Sequence, residues 1–204
     1  MALAAQESLG ARASRPCFLR SGGRSLPWKG PPFFGAHRAP LQLAMLNIRP
    51  ATSSDVKLIL EFIRELAAYE REPQAVTATE ADLARDGFGA EPRFRVLIAE
   101  WDGRPAGFAL FFYNYSTWLG RPSLHLEDLF VRPEFRGQGI GKSLLAHLAR
   151  VAVEHNCGRF QWQVLDWNAP SIRFYESFGA KVIKEWLTMR VEGEALKGLA
   201  SEQG

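Results

Sequence analysis

The 204-residue sequence predicts an α+β domain in which helices pack on a mixed central sheet, with the element order βααβββαβαβ. Three observations lead to this prediction. Apolar residues recur every three or four positions in four segments, the period of amphipathic helices. Six other segments are runs of apolar and aromatic residues typical of strands. The dipeptide Asp102-Gly103 joins two of these runs, which is a strong signal for a tight β-hairpin.

The first half of the predicted domain contains a strand, two helices and that hairpin. Leu46–Pro50 alternates in polarity and stops at a proline. Ser53 or Ser54 can cap a helix that starts near Asp55. Thr79, with Asp82 three residues later, predicts a second, short helix that ends at Gly87. The hairpin strands are predicted at residues 94–101 and 105–115. The apolar face of the first helix comprises Val56, Ile59, Leu60, Ile63, Leu66 and Ala67.

The second half contains three more strands and two helices. Strands are predicted at residues 123–132, 159–166 and 181–191. Between the first two, Ile140, Leu144, Leu148 and Val151 form one face of a helix that ends near Asn156. Residues 168–178 form the last predicted helix, with Pro170 in its first turn and Gly179 as its stop.

Residues 1–44 differ in composition from the rest of the chain. They contain six basic residues and one acidic residue, with five prolines and no sustained helical or strand period. Such a segment buries too little apolar surface to offset its ordering entropy, so we expect a disordered basic extension before a single domain at 45–204. An organelle transit peptide and a disordered basic tail are the alternatives to an upstream extension with no folded role. We favour Met45 as the natural start, because the first strand of the domain follows it directly.

Charge and composition exclude several function classes. The net charge of +3 comes from residues 1–44, and the remaining 160 residues carry a net charge of −2, so we expect no nucleic-acid partner. Without an apolar run of about 20 residues, we expect a soluble, cytoplasmic protein with no membrane partner. The two cysteines and four scattered histidines provide neither a disulfide framework nor the ligand spacing of a metal site.

The most informative stretch is a glycine-rich turn between a predicted strand and a predicted helix. The first-turn N–H groups of a helix have no partner within the helix, and the helix dipole favours an anion there. Glycines allow those N–H groups to approach a pyrophosphate closely. The spacing fits neither a Walker A motif, because the first glycine is replaced by Arg136, nor the dinucleotide pattern GxGxxG. A structural turn at a helix start is the alternative. The sequence of the turn is Arg136-Gly137-Gln138-Gly139-Ile140-Gly141-Lys142.

A second motif follows about thirty residues downstream, at residues 166–180. There an asparagine, Asn168, precedes a predicted helix that carries Tyr175 and ends at Gly179-Ala180. The pattern Arg-x-x-Gly-x-Gly, followed by this strand–Asn–helix–Tyr arrangement, resembles the GNAT acetyltransferases. Further segments between residues 46 and 180, such as Leu126-Glu127-Asp128, resemble the spermidine/spermine (diamine) N-acetyltransferase group, nearer to its thialysine-preferring members.

The resemblance implies a GNAT fold and an acetyl-CoA site without a metal. It assigns strand-like contacts with the pantetheine arm to Leu129, Phe130 and Val131. Residues Arg136, Gly137, Gln138, Gly139, Ile140, Gly141 and Lys142 would hold the pyrophosphate, and Asn168, Pro170 and Ser171 would complete the cofactor site. Glu127 would accept a proton from the amine, through a water, and Tyr175 would donate a proton to the leaving thiolate.

The resemblance also implies a small cationic acceptor, either a diamine or polyamine or a thialysine- or lysine-like amine. Tyr69, Glu70, Trp118, Glu127 and Asp128 would bind it. Polyamine-specific members resemble Tyr-Asp-Pro-Trp where this chain has Tyr115-Ser116-Thr117-Trp118, and the missing carboxylate favours shorter amines. Members of this group are typically homodimers. A protein lysine or N-terminal acetyltransferase and a non-catalytic acyl-CoA sensor are the alternatives.

Overall fold

The structure is a computed structural model that describes residues 45–202. The expectations for residues 1–44 lie outside this range. Five strands form one sheet in the order β1-β2-β3-β4-β5, in which β1 to β4 are antiparallel and β5 is parallel to β4. This is the predicted mixed sheet. The strands are β1 (Leu46–Pro50), β2 (Arg95–Trp101), β3 (Arg104–Ser116), β4 (Arg121–Val131) and β5 (Phe160–Trp162).

Helices cover both faces of the sheet. The helices are α1 (Val56–Tyr69), α2 (Glu80–Phe88), α3 (Ile140–Glu154), α4 (Ala169–Glu176) and α5 (Gly193–Ser201). One core cluster joins α1 and α2 to the sheet, and it includes Phe62, Phe108 and Phe130. The other joins α3 to the opposite face, and it includes Leu124 and Leu126. Among residues 45–202, no helix combines the length and the apolar character needed to cross a membrane.

Local signals set several boundaries. Asp102 and Gly103 have φ angles of 50° and 74° between β2 and β3, the left-handed pair that a tight hairpin turn requires. Thr79 and Asp82 form the predicted reciprocal cap at the start of α2. The cap predicted at Ser53 or Ser54 is wrong, because both lie inside a 3-10 turn that Thr52 caps. The carboxylate of Asp55, held by Arg49 at 2.9 Å, closes that turn.

The predicted last strand, residues 181–191, is wrong. These residues form no ladder with β5, and their side chains are exposed. A strand needs a neighbour that pairs with its N–H and C=O groups, and β5 has only three residues instead of the eight predicted at 159–166. A side-chain hydrogen bond from Gln163 Nε2 to Thr188 Oγ1, 2.9 Å long, links the segment to the rest of the domain. Helix α5, which follows, was not predicted.

Candidate active site

The site begins where β4 and β5 separate. Their parallel ladder ends at the pair Leu126 and Trp162. Beyond this pair the two segments line a cavity of about 440 Å³, with residues 126–131 on one side and residues 162–165 on the other. The edge of β4 that faces away from β3 therefore has backbone groups available to a ligand. One of these groups, the carbonyl of Val131, accepts a hydrogen bond from the side chain of Arg136, with Nε at 2.9 Å.

The glycine-rich turn forms one end of this cavity. Gly137 and Gly139 have φ angles of 78° and 79°, which L side chains rarely adopt. Gly139 is the N-cap of α3. Within residues 45–202, no hydrogen bond is formed by the backbone N–H groups of residues 137–142, whereas the N–H of Ser143 already bonds to Gly139 O. These six donors at a helix N-terminus fit a pyrophosphate.

Aromatic contacts fix the position of Tyr175 on α4. Its ring lies 5.0 Å from Trp162 and 5.3 Å from Phe174. Burial raises the pKa of Tyr175 to about 12, and Glu70 and Tyr69 add to the increase because negative charge nearby disfavours the phenolate. The phenol therefore keeps its proton at neutral pH and can donate it.

Asn168 connects α4 to α1 across the cavity. It is only 6% exposed. Its Oδ1 accepts a hydrogen bond from Tyr69 Oη at 3.2 Å and another from the backbone N–H of Ser171 at 3.3 Å. The side-chain oxygen of Asn168 thus caps α4 and anchors Tyr69, which leaves its amide nitrogen for contact with a ligand. The guanidinium of Arg136 also lies over the ring of Tyr69, 4.9 Å from the ring centre.

Three carboxylates also line the cavity. Glu127 and Asp128 are on β4, and Glu70 follows α1. Burial is the largest cause that raises the pKa of Asp128, to about 7, and the charges of Glu127 and Glu70 add to it. Burial also raises the pKa of Glu70. Glu127 is 55% exposed, and its Oε2 lies 3.5 Å from His125 Nε2.

The structure brings together most of the residues that the sequence predicts for the site. Two of the predicted residues do not line the cavity. Gln138 is exposed beside it, and Trp118 lies in the β3–β4 turn, 82% exposed, with its ring 5.8 Å from Trp186. The predicted residues that line the cavity are Tyr69, Glu70, Glu127, Asp128, Leu129, Phe130, Val131, Arg136, Gly137, Gly139, Ile140, Gly141, Lys142, Asn168, Pro170, Ser171 and Tyr175.

The sequence did not predict the wall formed by β5 and the segment after it. Trp162, Gln163, Val164 and Leu165 line the cavity opposite β4. Residues 159–166 read as one continuous strand, and their pattern contains no signal that pairing with β4 stops at Trp162. Phe174, on α4, also lines the cavity, and its Cζ lies 3.4 Å from the position that a Cβ on Gly141 would occupy.

Comparison with known proteins identifies the family. The acetyltransferase (GNAT) family matches residues 59–180. The chain belongs to this family. It is 41% identical over 171 residues to thialysine N-epsilon-acetyltransferase of Sus scrofa, an alignment that covers 78% of this chain and all of the relative. It is 32% identical over 198 residues to L-ornithine N5-acetyltransferase of Arabidopsis thaliana, which covers 75% of this chain and 87% of the relative.

The fold of the domain also matches that of a solved structure. An integron cassette protein from the mobile metagenome of V. cholerae superposes on this GNAT domain with a TM-score of 0.66 and 30% identity. The superposition covers 77% of this chain and 98% of the other. The family and the fold together make the protein an acetyltransferase with the α+β GNAT architecture that the sequence predicts.

Proposed function

We propose that the protein transfers the acetyl group of acetyl-CoA to a primary amine of a small cationic acceptor, by direct attack in a ternary complex. One observation carries the proposal. Residues 137 and 139–142 of the glycine-rich turn, whose N–H groups form no hydrogen bond among the described residues, line the same cavity as Tyr175 and the three carboxylates Glu70, Glu127 and Asp128. One cavity thus has both N–H donors for an anionic cofactor and carboxylate acceptors for a cation.

Acetyl-CoA, when bound, supplies a thioester whose carbonyl carbon an amine can attack. The residues present fit it: the N–H groups of residues 137–142 would hold the diphosphate, and the open edge of β4 from Leu129 to Val131 would hold the pantetheine arm. Asn168, Pro170 and Ser171, at the start of α4, would complete the site. Arg136 now bonds to the Val131 carbonyl, so we expect its side chain to shift when the cofactor binds.

The chain's own groups would carry out two proton transfers. A primary amine has a pKa of about 10.4, so about one molecule in 2,500 is nucleophilic at pH 7. A carboxylate beside the amine therefore raises the reactive fraction, and Glu127 is the candidate that its sequence position suggests. Tyr175, whose pKa is raised to about 12, would donate its proton to the departing sulfur.

We propose thialysine-like or other short amines as the preferred acceptors. The relatives described above are named for acetylation of thialysine and of ornithine, both small amines. At the position where polyamine-specific relatives resemble Asp, this chain has Ser116. Its side chain is 7% exposed and accepts a hydrogen bond from Arg159, so it offers no carboxylate to a long polyamine.

We also propose a homodimer. Apolar side chains in residues 181–191 are between 49% and 89% exposed, which is costly for an isolated chain. A second copy would cover them. Analytical ultracentrifugation should therefore give about twice the mass of one chain, and a monomer would contradict this proposal. The exposed side chains are Val182, Ile183, Trp186, Leu187, Met189 and Val191.

The cytoplasmic location stays a prediction.

A panel of acceptors tests the function. The full-length protein is incubated with labelled acetyl-CoA and about twenty amines, including thialysine, ornithine, putrescine and spermidine, and with Lys-containing and free-N-terminal peptides. We expect the highest kcat/KM with short amines. Transfer to peptides alone would establish a protein acetyltransferase instead. Binding of acetyl-CoA in a calorimeter without transfer to any acceptor would establish a non-catalytic sensor.

A further inference from the structure

A β-bulge separates the environments of the two neighbouring carboxylates on β4. Leu126 is paired with Phe111 and Asp128 with Leu110, so Glu127 has no partner on β3. An extra residue of this kind reverses the faces to which the following side chains point. Leu126 accordingly packs in the α3-side core cluster, whereas Phe130 packs in the α1-side cluster. Asp128, two residues before Phe130, shares that α1-side face.

This placement leaves Asp128 half-buried beside other acids and without a cation. The charges of Glu127, on β4, and Glu70, at the end of α1, raise the pKa of Asp128. The charge of Glu70 also raises the pKa of Tyr175, which lies on α4. Among residues 45–202, no Lys, Arg or His nitrogen lies within 4.0 Å of the Asp128 carboxylate. Desolvation and these like charges raise its pKa to about 7, close to the pH at which a general base works best.

Glu127, in contrast, lies at the rim. It is 55% exposed and its carboxylate faces His125 at 3.5 Å. A solvated carboxylate can attract an incoming ammonium ion, but water competes for the proton that it would accept. Asp128 lines the same cavity and is less exposed than Glu127, so water competes less for the proton.

We propose that Asp128, rather than Glu127, is the proton acceptor for the amine, and that Glu127 attracts and orients the ammonium ion. This inference rests on the proposed function. The ammonium N–H gives one proton to Asp128, and the freed electron pair forms the N–C bond at the thioester carbonyl. As the C–S bond breaks, Tyr175 gives its proton to the sulfur. The second proton on nitrogen restores Tyr175, and Asp128 releases its own proton to water.

The test compares Asp128→Asn and Glu127→Gln, each nearly isosteric, with Glu154→Gln as the matched control on the exposed end of α3. Each full-length variant is assayed for kcat and KM between pH 5.5 and 9.5, with the best acceptor of the wild type and with a less basic amine. Calorimetry measures the affinity of each variant for acetyl-CoA, and thermal unfolding reports whether each variant is folded.

The two carboxylates should give different pH profiles. In the wild type, kcat/KM should fall below pH 7 as Asp128 becomes protonated. Asp128→Asn should lower kcat by about 100-fold or more with little change in KM. It should also move this acidic limb up to the pKa of the amine, so that kcat/KM has no plateau above pH 7 and rises about tenfold per pH unit as free amine accumulates. Its defect should shrink with the less basic amine. Glu127→Gln should raise KM and keep the limb, and Glu154→Gln should match the wild type.

Several results would overturn the inference. A limb that moves from pH 7 to the pKa of the amine in Glu127→Gln, and stays near pH 7 in Asp128→Asn, would return the role to Glu127. An Asp128→Asn variant with raised KM and unchanged kcat would make Asp128 a binding residue only. Both results leave the acetyltransferase activity itself standing. A wild type that binds acetyl-CoA and acetylates no amine would overturn this inference and the proposed function together.

Discussion

Replacing Asp128 with asparagine should stabilise the unliganded protein, and the gain should grow with pH. In the folded state, burial and neighbouring acids raise the pKa of this carboxyl from 3.8 to about 7. Between these values the folded protein binds more protons than the unfolded chain, so the free energy of unfolding falls as the pH rises. Asparagine has a similar shape and cannot ionise, so it removes this dependence.

The magnitude follows from the pKa difference. Each pKa unit corresponds to about 1.4 kcal/mol, so ionised Asp128 should destabilise the fold by on the order of 4 kcal/mol at pH 8. At pH 5 the carboxyl is still protonated in the folded state. This pH is about one unit above the pKa of the same carboxyl in the unfolded chain, so a free-energy penalty of roughly 1.6 kcal/mol remains. The advantage of Asp128→Asn should therefore increase by roughly 2 to 3 kcal/mol between pH 5 and pH 8.

Urea unfolding at several pH values measures this difference directly. Wild type, Asp128→Asn and the exposed control Glu154→Gln are unfolded at pH 5, 6, 7 and 8, and each free energy is extrapolated to water. Taking differences between variants cancels the titration of every other group. A difference between wild type and Asp128→Asn that stays constant from pH 5 to pH 8 would refute the reasoning, because it would mean that Asp128 ionises normally in the folded state.

Three further predictions concern the donor, the anion cradle and the attachment of α1. Tyr175→Phe should lower kcat by about 10- to 1000-fold with a modest change in KM, as steady-state kinetics would show, and an unchanged kcat would remove Tyr175 from its role. Gly139→Ala should cost about 1 kcal/mol in thermal stability, because φ is 79° there, and should weaken acetyl-CoA binding in a calorimeter by about tenfold. Normal binding would show that the N–H groups of the turn do not grip the cofactor. Arg132→Gln should lower the free energy of unfolding by about 1 to 3 kcal/mol, because it removes hydrogen bonds of 2.7 to 3.1 Å to Glu65 on α1. A urea midpoint equal to that of the wild type would contradict this.

Most of the fold could be predicted because its signals are local. The hairpin at Asp102-Gly103 needs only the conformational preferences of two residues, and the faces of α1 and α3 need only a period of three to four. The glycine-rich turn is also local, since the free N–H groups of a helix start depend on the helix alone. These elements could therefore be predicted, and with them the turn at which we propose that the diphosphate binds.

The prediction of a sixth strand was wrong because a strand depends on its neighbour. Residues 181–191 have the composition of a strand, but a strand forms only where another strand pairs with it, and β5 is too short to provide that edge. Trp118 was assigned to the acceptor site from its motif. Its position is set by the β3–β4 turn, which places it beside Trp186 and outside the cavity.

The bulge at Glu127 also depends on a neighbouring strand, and it has a larger consequence for the site. Leu126-Glu127-Asp128 reads as ordinary strand, in which neighbouring side chains point to opposite faces, and nothing in the residue types indicates that Glu127 has no partner. Only the pairing of Leu126 and Asp128 with β3 reveals the extra residue. The sequence could therefore name both carboxylates, but it could not tell which of them is buried.

In the proposed ternary complex, the charges of the cavity would sort two substrates of opposite sign. The N-terminus of α3 presents free N–H groups, which would favour the diphosphate of the cofactor. The bulge in β4 and the end of α1 present Glu127, Asp128 and Glu70, which would favour an ammonium ion. A diphosphate placed against these carboxylates would meet like charge, and an ammonium ion at the turn would face N–H dipoles. Both placements are electrostatically unfavourable, so the two sets of groups together would direct the thioester toward the amine before any specific contact is made.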